Sequence, residues 1–432
     1  MVKLGKVTDA VRGTVRMTDL FRKFSKSKMP QIRVLEQWES SEDRFAPGFL
    51  IQVKNGTGDL YKKFLSDGSP KSYETLMFRG IPLFQLQGDE YFCPTCEKIV
   101  KSAYQLEQTE EFHVEALNRN DVGAEEVLTE LEPLLGLLEE GFYCIWDTQL
   151  YPTDGNGYLF WDYPNDDSVK KGSCIVYCGV GEWGSCIPHF TIATQSRKKW
   201  NPERTEYYRQ HPGCRAVAYY MDGNLTALID GHHKAMAAAL EHQSLNALVI
   251  SRCYPGRRMA EGKEIKFLYA NDTSFYCDNT GECKPSESRT ERVCGGKDRE
   301  LDASGDGFEF SPEIKKLAEY YPTAEDCAYM DIFGPITDQT IEEYMTGKKE
   351  FVPEEICIFI RALGAAKHKR LFEVLDCILH SEWYGNPEVM VCAVQQLVKL
   401  PKTEQMEAYL IDCVVDIEEE YPLAARMILN NL

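Results

Sequence analysis

The sequence predicts an α+β protein: a mixed, β-rich N-terminal region, a central unit in which strands and helices alternate, and a C-terminal array of helices. Three observations carry this. Residues 31 to about 172 hold short β-like runs between turns, GFLIQV (48–53), IPLFQLQ (81–87) and YLFW (158–161). From Ser173 to Ser251 a proline-headed helix leads to a hairpin, a second helix and a strand. After Ser311, Pro353, Pro387 and Pro422 each head an apolar-periodic run, 34 and 35 residues apart. A chain of 432 residues exceeds one ordinary core, and about three domains are expected. The expected divisions are a basic arm (1–30), a mixed α/β region (31–172), the central domain (173–269), a polar connector (270–310) and a helical domain (311–432).

Charge limits the partners. Forty-eight Lys and Arg against 68 Asp and Glu give a net charge of −20. A broad electrostatic grip on nucleic acid or anionic lipid is disfavoured by that balance. Residues 1–30 run the other way, with eight basic and two acidic side chains and a loosely helical apolar side from Val7, Val11, Leu20, Phe21 and Phe24. A membrane-surface or RNA contact, or a terminus that is mobile or docks on its own chain, fits that composition. No apolar run approaches the ~20 residues of a membrane span, nor is there an apolar leader with a cleavage site, so a cytoplasmic protein is expected. Its 16 cysteines are then expected as thiols rather than disulfides.

The elements follow from local chemistry. TDGNG (153–157) is a hairpin signal, because Gly and Asn accept the positive φ of tight turns. VLTELEPLLGLLEEG (127–141) has helical spacing and stops at a glycine. Asn201, Pro202 and Glu203 supply an N-cap, a first-turn proline and a dipole-favourable acid; His211-Pro212 closes that helix. AVAYY (216–220), MDGN (221–224) and LTALI (225–229) form a β-hairpin, followed by a helix over 234–242 and the strand NALVIS (246–251). Residues 270–307 lack any sustained period. The recurring prolines mark recurring helix starts, and Ile356, Phe359, Ile360 and Leu363, then Leu371, Val374, Leu375 and Ile378, supply faces buried by stacking. This is the pattern of a HEAT-like α-solenoid, a module for binding a protein partner.

The candidate site lies in LIDGHHKAMAAALE (228–241). A strand ending at Ile229 delivers Asp230 and Gly231 to a helix start, where unpaired amides and the positive dipole end favour an anion. Gly231 permits close backbone approach to a phosphate and Lys234 adds positive charge. His232 and His233 can donate hydrogen bonds or move protons, and Asp230 can hold Mg²⁺ or orient a histidine. The plainer alternative makes Asp230 an N-cap, Gly231 a turn residue and both histidines half-buried surface groups. Arg197, Lys198 and Arg204 lie upstream as further phosphate ligands or as a solvated basic patch.

The order helix, β-hairpin, Asp-Gly-His-His-Lys, helix, strand resembles the ParB/sulfiredoxin-like fold over residues 187–251. The resemblance implies that this turn carries a nucleotide phosphate. The free-serine kinases of that superfamily have Asp-Gly-His-His-Arg, which implies Mg²⁺ with nucleotide and a carboxylate that accepts the hydroxyl proton; Glu203 and Glu206 are the candidates. Lys234 keeps the arginine's charge and loses its bidentate fork. Sulfiredoxins carry a cysteine where His232 stands, so that chemistry is not expected. ParB proteins continue into a helix-turn-helix, whereas here a polar stretch and a helical array follow, which disfavours DNA clamping.

YFCPTCEKI (91–99) offers Cys93 and Cys96 as half of a tetrahedral zinc site, or as a metal-free turn. Cys327, Cys357, Cys377, Cys392 and Cys413 fall on apolar helix faces and are expected as core thiols. DASGDGFEFSPE (302–313) matches calcium-loop positions imperfectly and fits a turn before Ser311 better. The functional expectation is a nucleotide- or phosphate-binding protein, as a phosphotransferase or nucleotide hydrolase acting on a nucleotide or phosphorylated small molecule. The alternatives are a non-catalytic adaptor working through the helical array and, disfavoured by charge, a DNA-associated protein or nuclease.

Overall fold

The computed structural model describes residues 29–40, 45–66, 71–78, 81–89, 115–119, 121–162, 179–180, 183–184, 187–195, 197–260, 263–270, 273–276, 290–292, 308–346, 352–380 and 385–432. Most of the basic arm, Cys93 and Cys96, and most of the imperfect calcium loop lie outside these residues.

Sixteen strands are described. They are β1 (Gln31–Trp38), β2 (Gly48–Lys54), β3 (Leu60–Ser66), β4 (Lys71–Phe78), β5 (Ile81–Asp89), β6 (Gly141–Leu150), β7 (Gly179–Val180) and β8 (Trp183–Gly184), followed by β9 (Phe190–Ile192), β10 (Ala216–Asp222), β11 (Leu225–Asp230), β12 (Leu245–Arg252), β13 (Tyr254–Ala260), β14 (Lys263–Ala270), β15 (Thr273–Tyr276) and β16 (Thr290–Arg292). Together with the helices they make an α+β protein.

The main sheet is mixed and seven-stranded, in the order β1-β2-β6-β12-β10-β11-β9. β10 and β11 form the hairpin expected from MDGN, with Val217 opposite Asp230 and Asp222 opposite Leu225. A helix, His232–Leu240, then crosses over so that β12 returns parallel to β10, with Val217 beside Leu248. β12 is buried along most of its length, as its nearly unbroken apolar run requires of a strand covered on both faces.

The division expected at residue 172 does not separate two cores. β2 and β6, from the N-terminal segment, are hydrogen-bonded into the same sheet as β10, β11 and β12, with β6 lying between β2 and β12. The polar connector is likewise partly sheet: β15 pairs with β14, and β16 lies parallel to β3. The division at 310/311 moves as well. Phe310, Leu317, Ala324, Cys327 and Ala328 belong to the core of the main sheet, and the second core runs from Ile341 to Ile428.

In that second core the helices headed by Pro353, Pro387 and Pro422 touch in succession, and Leu371–Leu379 and Glu404–Ile417 pack beside them. Ile356, Phe359, Ile360 and Leu363 are buried as their spacing predicts. The helix Ala324–Phe333 joins the two cores: Cys327 and Ala328 face the sheet, and Phe333 packs on Phe359 with the rings tilted and their centroids 5.2 Å apart. His189 fastens this helix to the sheet, its Nε2 lying 2.8 and 2.9 Å from the two carboxylate oxygens of Asp331.

Two local expectations are revised. The apolar run 127–141 breaks into the helices Ala124–Glu130 and Glu132–Leu135, since Pro133 and Gly136 interrupt it. YLFW forms no strand; only a bridge joins Thr153 to Leu159. The turn between them is as read: Gly155 and Gly157 have φ of 77° and 89°, and Asp154 Oδ1 accepts the amides of Asn156 and Tyr158 at 2.9 and 3.0 Å.

Candidate phosphate site at the start of the His232 helix

The strand-turn-helix junction is sharper than the sequence suggests. β11 runs through Asp230, and the helix begins at His232, two residues earlier than expected. Gly231 is the N-cap, at φ 103° in the left-handed region, and Asp230 makes no side-chain cap. A side chain at 231 would be strained twice over: by that φ, and because its Cβ would lie 2.6 Å from the Cβ of Ala216. Glycine at 231 and alanines along the helix let it settle on β10 and β12.

The three residues after Gly231 turn inward. His232, His233 and Lys234 are 3, 8 and 5% exposed. Neither ring is the half-buried surface group of the plainer alternative, nor is it presented to solvent as a reactive group: each fills a polar niche in the fold. Nε2 of His232 accepts the Thr194 amide at 3.1 Å, while Thr194 Oγ1 donates to the Leu228 carbonyl at 2.5 Å. Nε2 of His233 accepts the Asn201 amide at 3.0 Å. The Lys199 carbonyl, 3.2 Å from the same nitrogen, is a close neighbour that would become a partner only on protonation. Trp161 covers both rings, tilted over His232 at 5.6 Å and edge-on to His233 at 5.7 Å between centroids.

Burial pushes the His232 pKa down to about 3, with the neighbouring His233 adding to the effect. Burial also brings His233 down to about 4, helped by the positive charge of Arg204. Both imidazoles are neutral at physiological pH, and each has one nitrogen committed as an acceptor.

Lys234 is held from behind the turn. Its Nζ donates to the Arg215 carbonyl at 2.8 Å, the Leu117 carbonyl at 3.3 Å and Asp230 Oδ2 at 3.4 Å, with the Tyr208 ring 5.6 Å away. Burial lowers its pKa, opposed by the charge of Asp230. An ammonium with three donors and three acceptors in place is a strut of the turn. The expectation that Lys234 points its charge at a ligand is not what this geometry provides.

The amides are a different matter. No acceptor faces the backbone N–H groups of His232, His233 or Lys234 among the described residues, and the helix has no side-chain cap. A buried helix start without partners is unusual, since such amides are normally taken by side chains, water or a ligand.

The remaining candidates separate. Arg197 pairs with Asp162 at 2.7 Å, and Lys315 approaches the same carboxylate at 3.6 Å. Arg204 is exposed, and its amide donates to the Asn201 side chain that caps its helix. Glu203 is exposed, and Glu206, also exposed, pairs with Arg209 at 2.9 Å. Among the described residues neither glutamate contacts His232, His233 or Lys234, so the geometry gives no support to either as the proton acceptor. Asp230 is the carboxylate nearest the turn, its side chain 43% exposed. No cluster of three His, Cys, Asp or Glu side chains able to share a metal occurs among the described residues. Of the cysteines expected in the core, Cys327, Cys392 and Cys413 are buried, and Cys357 and Cys377 half-buried.

Sequence reasoning missed Trp161, Thr194 and the carbonyls of Leu117 and Arg215. Main-chain partners have no signature in residue type; Trp161 could have been singled out as a tryptophan ending an apolar run before a polar stretch. No family model matches the chain, and no curated protein or solved structure matches it significantly. Among the described residues no helix is long and apolar enough to cross a membrane.

Proposed function

We propose that the chain binds a phosphate-bearing small molecule, a nucleotide in the first instance, at the start of the His232–Leu240 helix, through main-chain amides. One observation carries this reading: the first-turn amides of that helix, in a buried setting behind a left-handed glycine, meet no protein acceptor among the described residues. Oriented amides at the positive end of a helix dipole suit a phosphate oxygen without any side-chain charge. The order of hairpin, turn, helix and parallel strand fits the ParB/sulfiredoxin-like resemblance and agrees with that use of the turn.

In this reading the side chains prepare the turn rather than react. His232 and His233 fix it to Thr194 and Asn201, and Lys234 fixes it to Arg215, the residue before β10. Among the described residues Asp230 is the carboxylate at the turn, and it would meet a Mg²⁺ carried in by nucleotide phosphates. A phosphotransferase or hydrolase step would need its proton acceptor here as well, and Asp230 is the side chain nearest to that task.

The test is calorimetric titration of the folded protein with ATP, ADP, CTP and pyrophosphate in the presence of Mg²⁺. Saturable heat that disappears in Gly231→Ala, when that variant remains folded, supports the reading; no heat with any of the four removes it. The second reading, a non-catalytic adaptor, is favoured by the engagement of Lys234 and both imidazoles with protein groups. It predicts that charge reversals on the helical array abolish partner capture while Gly231→Ala leaves capture intact.

A further inference from the structure

The helix Glu404–Ile417 buries Leu410, Cys413, Val414 and Ile417 against the second core. Its other side is unusual. Ile411 and Val415 are 53 and 73% exposed, and Ala408 is exposed beside them. Residues at these spacings share one stripe along a helix. Glu404, Glu407, Asp412, Asp416 and Glu419 rim that stripe, all exposed, and residues 404–420 contain no lysine or arginine. Isolated exposed apolar side chains are ordinary; an apolar stripe bordered by one sign of charge suggests a partner of the opposite sign.

The chain carries such a partner. Residues 1–30 hold eight basic side chains against two acidic ones, in a protein whose net charge is −20. Val7 and Val11 lie four residues apart, and Leu20, Phe21 and Phe24 fall within a stretch of five, so this segment offers apolar side chains to the stripe and cations to its rim. The segment leaves the sheet at Met29, whose carbonyl accepts from Asn55 Nδ2 at 3.4 Å. Twenty-eight residues span roughly 90 Å when extended.

We propose that the acidic-rimmed stripe of the Glu404–Ile417 helix is the docking surface for the chain's own N-terminal segment, residues 1–28. Docking there covers the exposed face of the helical array, so any other basic partner of that face competes with the segment. The proposal is independent of the phosphate site, and neither stands or falls with the other.

Zero-length carbodiimide cross-linking of the full-length protein tests it, with linked peptides identified by mass spectrometry. Links from Lys3, Lys6, Lys23, Lys26 or Lys28 to Asp412, Asp416 or Glu419 are expected, reduced at least fivefold in 0.5 M NaCl and in the double variant Ile411→Arg, Val415→Arg. Both substituted positions are exposed, and an unchanged thermal midpoint shows that the variant is folded. An equal mixture of ¹⁴N and ¹⁵N chains identifies the donor. Same-isotope links are expected. Mixed-isotope links at the statistical proportion assign the face to a second copy and overturn docking within one chain. Absence of links between residues 1–28 and 404–420, or links indifferent to the double variant, overturns the surface itself.

Discussion

The Nζ of Lys234 lies 2.8 Å from the carbonyl oxygen of Arg215, so a side chain that reads as a ligand instead ties the turn to the segment entering β10. Lys234→Met keeps the volume and removes the donors. Each carbonyl left unpaired in the interior costs about 1–3 kcal/mol, partly offset because no ammonium is desolvated. A net destabilisation of about 2 kcal/mol is expected in urea unfolding, with ATP affinity changed by less than about threefold. A variant as stable as the parent that has lost ATP binding would make the lysine a ligand after all.

Gly231→Ala is expected to do more damage than its one methyl group suggests. The left-handed φ of 103° strains any other residue, and the new Cβ would overlap Ala216. A loss of about 2–4 kcal/mol is expected from the two effects together. Ala216→Gly relieves the overlap and leaves the φ strain, so the double variant should recover part of the loss. No recovery would show that the close approach to β10 is unimportant.

Stability should fall between neutral pH and pH 4. In the unfolded chain both histidines protonate near 6.5, whereas burial holds His232 near 3 and His233 near 4 in the folded protein. The unfolded state therefore binds more protons in this window. The contribution of each ring is complete above pH 6.5 and is lost as pH drops toward the folded value. Unfolding free energy measured at pH 7, 6, 5 and 4 should have a shallower pH slope in His233→Gln than in the parent, since glutamine can accept the Asn201 amide without titrating. Identical slopes would contradict the assignment.

Asp331→Asn weakens the tie between the two cores. Its carboxylate meets His189 with both oxygens, and the two side chains are largely buried. About 1–2 kcal/mol of stability should be lost. Hydrogen exchange should quicken along Ala324–Phe333, where opening is local, before it quickens in β12. Uniform acceleration across both would mean that the helix is not a separate hinge between the cores.

The helices and strands around the site were legible because each has a local signature. Asn201 and Pro202 fixed one helix start, MDGN fixed the hairpin, and recurring prolines fixed the starts of three later helices. Domain divisions were less legible. A pause in composition near 172 reads as a boundary, yet β2 and β6 complete the sheet begun downstream, and pairing between distant strands leaves no mark on either sequence.

By itself, the sequence determined that Asp230 to Lys234 stand between a strand and a helix, since hydrophobic period and turn chemistry are properties of neighbouring residues. Only the tertiary structure decided which way His232, His233 and Lys234 face. Apart from the Asp230 carboxylate beside Lys234, their hydrogen-bond partners are main-chain groups of Thr194, Asn201, Arg215 and Leu117, brought in from other elements. A backbone amide or carbonyl is the same group whatever residue carries it, so three-dimensional packing alone could turn an apparent set of reactive side chains into the frame of a turn.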